Sequence, residues 1–273
     1  IRHFDFPNLV AAINADTRIS TVVHLGDIKN GSSRCDTTYF QLIATDFALF
    51  AQPLVYTPGD NEWTDCHRAN NGAYDPLERL AKWRQLFCVP VALPGFARQR
   101  NEYCENARWE LENLVSVGVN VPGSNNNLGR TRAMDAEHAQ RMRAVFAWID
   151  EAAARIREGK TVVVLMQANP FLHPRGGAAD GFARLRERLA ELARTHPGRI
   201  VLVHGDTTSA LAGALAATWS RILVGHVEAG VRSGPRGGPF PGELKRSLID
   251  RAANMWFAAT GRAGGALIDG GGP

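Results

Sequence analysis

The polar residues of this 273-residue chain that could do chemistry recur at one kind of place, the end of a short apolar run. Asp27 follows Ser20-Thr-Val-Val-His24, Asp60 and Asn61 follow Pro53-Leu-Val-Tyr-Thr57, and Gln167 follows Thr161-Val-Val-Val-Leu-Met166. His204 and Asp206 close the run Ile200-Val-Leu-Val203. Hard oxygen donors converging at one sheet edge suit a divalent metal, which would polarise a phosphoryl oxygen and ionise a bound water. On spacing alone the commoner role is local, each Asp capping the helix or turn that follows it.

Continuous apolar runs bounded by Gly and Asp suit parallel strands covered on both faces. Between them, apolar residues three and four apart predict helices over 8–15, 37–51, 75–87, 135–158 and 180–194. Strand–helix–strand order puts the polar turns at the carboxyl edge, where open α/β sheets hold their sites. Two strand-like pieces fall within 101–121. Beyond residue 208 the pattern gives a helix over 209–219, a strand over 222–227, a Gly/Pro-rich loop, a helix over 243–254, a strand over 255–258 and a Gly-laden tail. The expected fold is α/β, a mainly parallel sheet flanked by helices.

The formal charge is +4, but the arginines are scattered: Arg184, Arg186, Arg188 and Arg194 share one helix with Glu187 and Glu191. Without a basic stripe, nucleic acid is not an expected partner. No run of about 18 apolar residues exists, so no membrane-spanning helix is expected. The four cysteines, Cys35, Cys66, Cys88 and Cys104, form no Cys-x-x-Cys pair, which argues against a zinc ribbon. Cys35 and Cys66 each lie a few residues past a Gly-Asp turn; a disulfide and free thiols are both open, and the disulfide would point to an oxidising compartment. The chain opens on Ile1 with no signal-like start, which leaves a removed leader open. Oligomeric state is not legible.

Two resemblances bear on the motifs. Val22-Val-His-Leu-Gly-Asp-Ile-Lys-Asn-Gly31 and Tyr56-Thr-Pro-Gly-Asp-Asn-Glu-Trp63 resemble the second and third motifs of calcineurin-like metallophosphoesterases. For residues 1–199 that resemblance implies a two-sheet sandwich, a phosphate-ester substrate and a divalent metal, Mn, Fe or Zn. Asp27 would be the bridging carboxylate, Asp60 and Gln167 further metal ligands, and Asn61 the group meeting the phosphate or leaving group. The family's first motif is expected before Ile1, and Gln167 and Thr208 stand where it has histidines, so an intact two-metal centre is not expected.

Residues 200–273 are similar to the non-hydrolysing UDP-N-acetylglucosamine 2-epimerases through Val203-His-Gly-Asp-Thr-Thr208, Gly225-His-Val-Glu-Ala-Gly-Val-Arg232 and Pro239-Phe-Pro-Gly-Glu-Leu-Lys-Arg246. This implies a partial Rossmann-like segment of GT-B type, a UDP-sugar as small-molecule partner and no cofactor. Asp206 and Glu228 would be catalytic carboxylates, acid and base beside the sugar. Arg246 matches a basic residue of the third motif. His204, His226 and Arg232 could line an anionic pocket, with a strand-end structural role equally open for the histidines. Gly242 and Lys245 depart from that pattern, standing where the family has Glu and Asn.

The chain therefore reads as a join near residue 200. A join that keeps strand, turn and register predicts that strand 200–203 is paired on both sides. The first resemblance leans extracytoplasmic and the second cytoplasmic. Three functions follow: a phosphoesterase-like hydrolase with an impaired site, a sugar-nucleotide epimerase fragment, or a remnant without activity.

Overall fold

The computed structural model describes residues 6–171 and 179–204 and, further along, the strands 223–229 and 255–258. Helix α1 (Phe6–Ala15) is followed by strand β1 (Val22–His24), helix α2 (Thr37–Phe47) and strand β2 (Leu54–Tyr56). β1 and β2 pair in parallel, Val22 opposite Leu54 and His24 opposite Tyr56. Helix α3 (Pro76–Phe87) begins where the Asp75 side chain accepts from the Leu77 N–H, with Pro76 in the first turn.

The next seven strands build one large sheet. Strands β3 (Ala97–Arg98), β4 (Ala107–Leu111) and β5 (Leu114–Gly118) are antiparallel neighbours. Helix α4 (Arg132–Ala153), strand β6 (Thr161–Met166), helix α5 (Ala183–Thr195) and strands β7 (Ile200–His204), β8 (Leu223–Ala229) and β9 (Met255–Ala258) follow. The seven strands lie in the order β3-β4-β5-β6-β7-β8-β9, parallel from β5 onward. β7 is paired on both sides, Val162 of β6 opposite Ile200 and Leu223 of β8 opposite Val201.

Period-two alternation sorts the core. From β6 and β7, Val162, Val164, Met166, Ile200 and Leu202 point toward α4 and α5, meeting Val145, Ile149, Leu185 and Leu189. Val163, Leu165, Val201 and Val203 point the other way and pack with Trp109 and with Val55 of β2. On the outer face of β2, Tyr56 joins Phe40, Phe47, Trp83 and Phe87 from α2 and α3. The layers are thus helix, sheet, sheet, helix. Each fully buried aliphatic side chain in them contributes roughly 1.5–3 kcal/mol.

The sheet is mainly parallel, and the exception has a local cause. Glu112 and Asn113 alone separate β4 from β5, with Glu112 at φ +49°, and a two-residue turn allows only an antiparallel pair. Helix α2 stops at Phe47 rather than residue 51, because Leu49 and Phe50 donate three residues back, tightening the last turn. Likewise α4 gives way at Ala154–Glu158 to a tighter 3-10 turn, closed by Gly159 at φ +81°. The helices expected over 209–219 and 243–254, the loop between them and the tail lie outside the described residues.

All four cysteines are paired, Cys35 with Cys66 and Cys88 with Cys104. The first bridge closes a 31-residue separation and is fully buried between the loops that follow β1 and β2. Chain-entropy arguments put its contribution at about 3–4 kcal/mol. A Cys35→Ala, Cys66→Ala double variant should lose that much in urea unfolding; unchanged stability would show that packing alone fixes these loops.

Candidate functional site

Two glycine turns bring the first carboxylates together. Gly26, at φ +86°, lies so close to the second turn that a Cβ on it would sit 2.3 Å from the Gly59 nitrogen. A Cβ on Gly59 would come equally close to Asp27 Oδ1. Only residues without side chains permit this backbone-to-backbone approach. Beneath it lies Glu62, fully buried, accepting from the Ile28 N–H at 2.9 Å, the Tyr56 hydroxyl at 2.8 Å and the Gly59 N–H at 3.1 Å.

Above this clamp Asp27, Asp60, Asn61 and Gln167 converge. Gln167 Nε2 donates to Asp27 Oδ2 at 3.1 Å and to Asp60 Oδ1 at 3.3 Å, while its Oε1 accepts from the Gly123 N–H at 2.7 Å. The Asn61 N–H faces Asp27 Oδ1 at 3.4 Å, and its side chain donates to the Lys29 carbonyl at 3.1 Å. Ser124 Oγ lies 3.0 Å from Asp60 Oδ2 and 2.6 Å from Asp65 Oδ1. One hydroxyl proton serves both acids.

Crowding shows in the proton affinities. Burial, then the Glu62 and Asp60 charges, push Asp27 up to about 9. Asp27 keeps an exposed face although protein atoms crowd its carboxyl, so water tempers this effect without changing its upward direction. Burial raises Asp60, with Asp65 adding to it, and burial also raises Glu62. Lys29, buried among these acids, is lowered by desolvation.

The donor set limits what could bind. Among the described residues no group of three or more His, Cys, Asp or Glu side chains is arranged to hold a metal ion. Two carboxylates with neighbouring amides suit at most one hard cation completed by waters and a substrate oxygen. Gln167 lies with them, its amide nitrogen, as assigned by its hydrogen bonds, turned to both carboxylates.

Of the second set, the described members belong to the seven-stranded sheet whose β6 leads to Gln167, whereas Asp27 and Asp60 follow the separate β1–β2 pair. His204 ends β7 and is registered opposite His226 of β8, with Glu228 two residues further along that strand. Asp206, Arg232 and Arg246 lie outside the described residues. Sequence reasoning assigned no role to Glu62, Lys29, Asp65 or Ser124. For Glu62 the signal was present, an acid three residues after Gly59 in a strand-end turn.

Fold and site together define an α/β protein whose polar groups gather at the carboxyl ends of parallel strands. Residues 135–273 match the family model described as UDP-N-acetylglucosamine 2-epimerase, and through them the chain belongs to that family. The UDP-N-acetylglucosamine 2-epimerase of Bacillus subtilis is 53% identical over 76 residues, 28% of this chain and 20% of that protein. A putative UDP-N-acetylglucosamine 2-epimerase of Thermotoga maritima is 56% identical over 63 residues, 23% of this chain and 17% of that one. A crystal structure of a UDP-N-acetylglucosamine 2-epimerase has 32% identity and a TM-score of 0.28, over 41% of this chain and 36% of the other. The chain spans about a fifth of the length of these curated relatives.

His24, the last residue of β1, supplies a pH test of the site's foundation. Its ring packs 5.2 Å from both Phe47 and Tyr56, and its buried Nδ1 has no hydrogen-bond partner. Burial lowers it to about 4. The neutral form is favoured on folding, so its contribution is fully present above the unfolded value near 6.5 and is lost as pH falls through about 4. The slope is at most about 1.4 kcal/mol per pH unit. Urea unfolding across this window should show a flatter profile in His24→Phe; equal slopes would assign the acid sensitivity elsewhere.

Proposed function

We propose that residues 135–273 serve sugar-nucleotide chemistry, with UDP-N-acetylglucosamine as substrate class and inversion at C2 as the reaction. Family membership carries this reading. The register of β7 and β8 supports it: His204 lies opposite His226, and each is followed two residues later by an acid, Asp206 and Glu228. Two carboxylates are what proton abstraction and return at a sugar carbon need. His204, His226, Arg232 and Arg246 would meet the diphosphate or sugar, and no cofactor is required.

Incubated with UDP-N-acetylglucosamine in deuterated water, the chain should exchange the C2 proton, read by NMR. Asp206→Asn should slow exchange by about 100-fold or more, the range of acid–base assistance. A chain that leaves the C2 proton in place has no such activity, and the reading as a remnant then stands.

The convergence of Asp27, Asp60, Asn61 and Gln167 favours a second reading for residues 1–199, hydrolysis of a phosphate ester assisted by one divalent metal, Mn, Fe or Zn. Asp27 and Asp60 would hold the cation, and Asn61 would orient the phosphate. Bound there, the metal would supply a polarised phosphoryl oxygen and an ionised water. The two disulfides suit an oxidising compartment, whereas a sugar nucleotide is a cytoplasmic substrate, so the two readings predict different locations. Under the second reading, p-nitrophenyl phosphate is hydrolysed when Mn is added and Asp27→Ala abolishes it; Mn-independent hydrolysis or an active Asp27→Ala variant would sink it.

A further inference from the structure

Arg130 differs from most arginines around the cluster. Arg68 pairs with Asp65 at 2.9 Å and Arg141 with Glu137 at 2.6 Å, but Arg130 has no carboxylate partner among the described residues. Its guanidinium is held by two neutral oxygen acceptors. Nη1 donates to the Thr64 carbonyl and lies 2.7 Å from His67 Nδ1, and Nη2 donates to Asn127 Oδ1 at 2.9 Å. Thr64 and His67 continue the Asp60 turn, whereas Asn127 belongs to the turn carrying Ser124, the hydroxyl shared by Asp60 and Asp65. Arg130 therefore bridges the two loops that flank the acids.

The Ser124–Asn127 turn holds this arginine in place. Its four residues lie at φ +48°, +55°, +54° and +67°, left-handed geometry that costs non-glycine residues roughly 1–2 kcal/mol each. Arg141, fully buried, grips Asn126 through both its backbone and side-chain oxygens, and Asn125 bonds the Ala179 carbonyl at 2.9 Å. With that backbone pinned, the guanidinium is pre-positioned. Two of its five N–H groups donate to oxygens, those of Thr64 and Asn127, and His67 Nδ1 is itself 2.8 Å from the Thr64 carbonyl, to which it donates; the edge formed by Nε–H and one Nη2–H has no acceptor among the described residues and can be offered to the oxygens of a phosphate.

We infer that this edge of Arg130 is a seat for a phosphate-type oxyanion at the rim of the Asp27–Asp60 cluster. Its biological role, binding the phosphate of an ester, rests on the hydrolase reading above; the binding does not. Calorimetric titration of inorganic phosphate into the full chain without added metal should show binding that weakens about tenfold or more in Arg130→Gln and less in Arg130→Lys. In the unsubstituted chain, phosphate should also shield Arg130 from phenylglyoxal, read by mass spectrometry, which keeps the test valid should Arg130→Gln fail to fold. No phosphate binding, equal binding by a folded Arg130→Gln, or no shielding would overturn the inference. If p-nitrophenyl phosphate is not hydrolysed but phosphate binds through Arg130, the hydrolase reading falls and the seat stands. If it is hydrolysed with an unchanged KM in Arg130→Gln, the seat alone falls.

Discussion

The contact on which the described site depends is the approach of the Gly26 turn to the Gly59 turn. Parallel pairing of β1 and β2 brings the two strand ends side by side, but pairing alone leaves room for side chains between the turns that follow. Glycine at both positions removes that room, and Glu62 then accepts N–H groups from both turns and the Tyr56 hydroxyl from β2. A buried carboxylate with three donors is stabilised where an unpaired one would not be. The Cys35–Cys66 bridge repeats the connection further out, and the Asn61 carbonyl lies beside both sulfurs. Asp27, Asp60 and Asn61 thus inherit their positions from backbone contacts rather than from their own packing.

That arrangement concentrates negative charge. Asp27, Asp60, Glu62 and Asp65 lie near one another, and Lys29 is the buried cation among them. Asp27, Asp60 and Glu62 hold protons more tightly than they would in water, because each ionised neighbour and each lost water disfavours the next charge. Gln167 relieves part of this by placing one amide NH2 against two carboxylates, and the Gly123 N–H fixes which end of the amide faces them. A neutral amide supplies only partial positive charge, so it eases the crowding of the two carboxyl groups without cancelling it.

The strands of this fold were legible because burial on both faces leaves an unbroken apolar run: Thr161–Met166 and Met255–Ala258 fall where the pattern puts them. The helix expected from Asp180 begins at Ala183 without a side-chain cap, whereas the Gly159 stop was legible because glycine takes the left-handed turn that ends a helix. The antiparallel edge was not, because the Glu112-Asn113 turn lacks the glycine that marks most tight hairpins. Nor was the left-handed run at Ser124–Asn127, because nothing in three asparagines reveals that Arg141, fourteen residues beyond Asn127, will hold Asn126. Cys35–Cys66 was one of two open alternatives, and Cys88–Cys104 had no sequence signal, since pairing depends on which loops the fold brings within reach. For the site, the sequence identified the carboxylates but not Glu62 beneath them, because a buried acid is defined by its donors and those come from three separate segments.

Strand β7 unites what the sequence divides. It lies between β6, whose end carries Gln167, and β8, which carries His226 and Glu228, with every pairing in register from Val162 opposite Ile200 to His204 opposite His226. The faces are equally continuous, since Ile200 and Leu202 share a core with α4 and α5 while Val201 and Val203 pack toward β2. The match to the epimerase family begins at residue 135, within α4 and one strand ahead of β7, so the physical unit and the family unit both cross residue 200. Parallel pairing holds the strand that leads to Gln167 on one side of β7 and the strand that carries His226 and Glu228 on the other. A change in β7 that tilted the strand would disturb both sets at once, which makes this one strand, rather than either group of polar residues, the element through which the two halves of the chain are coupled.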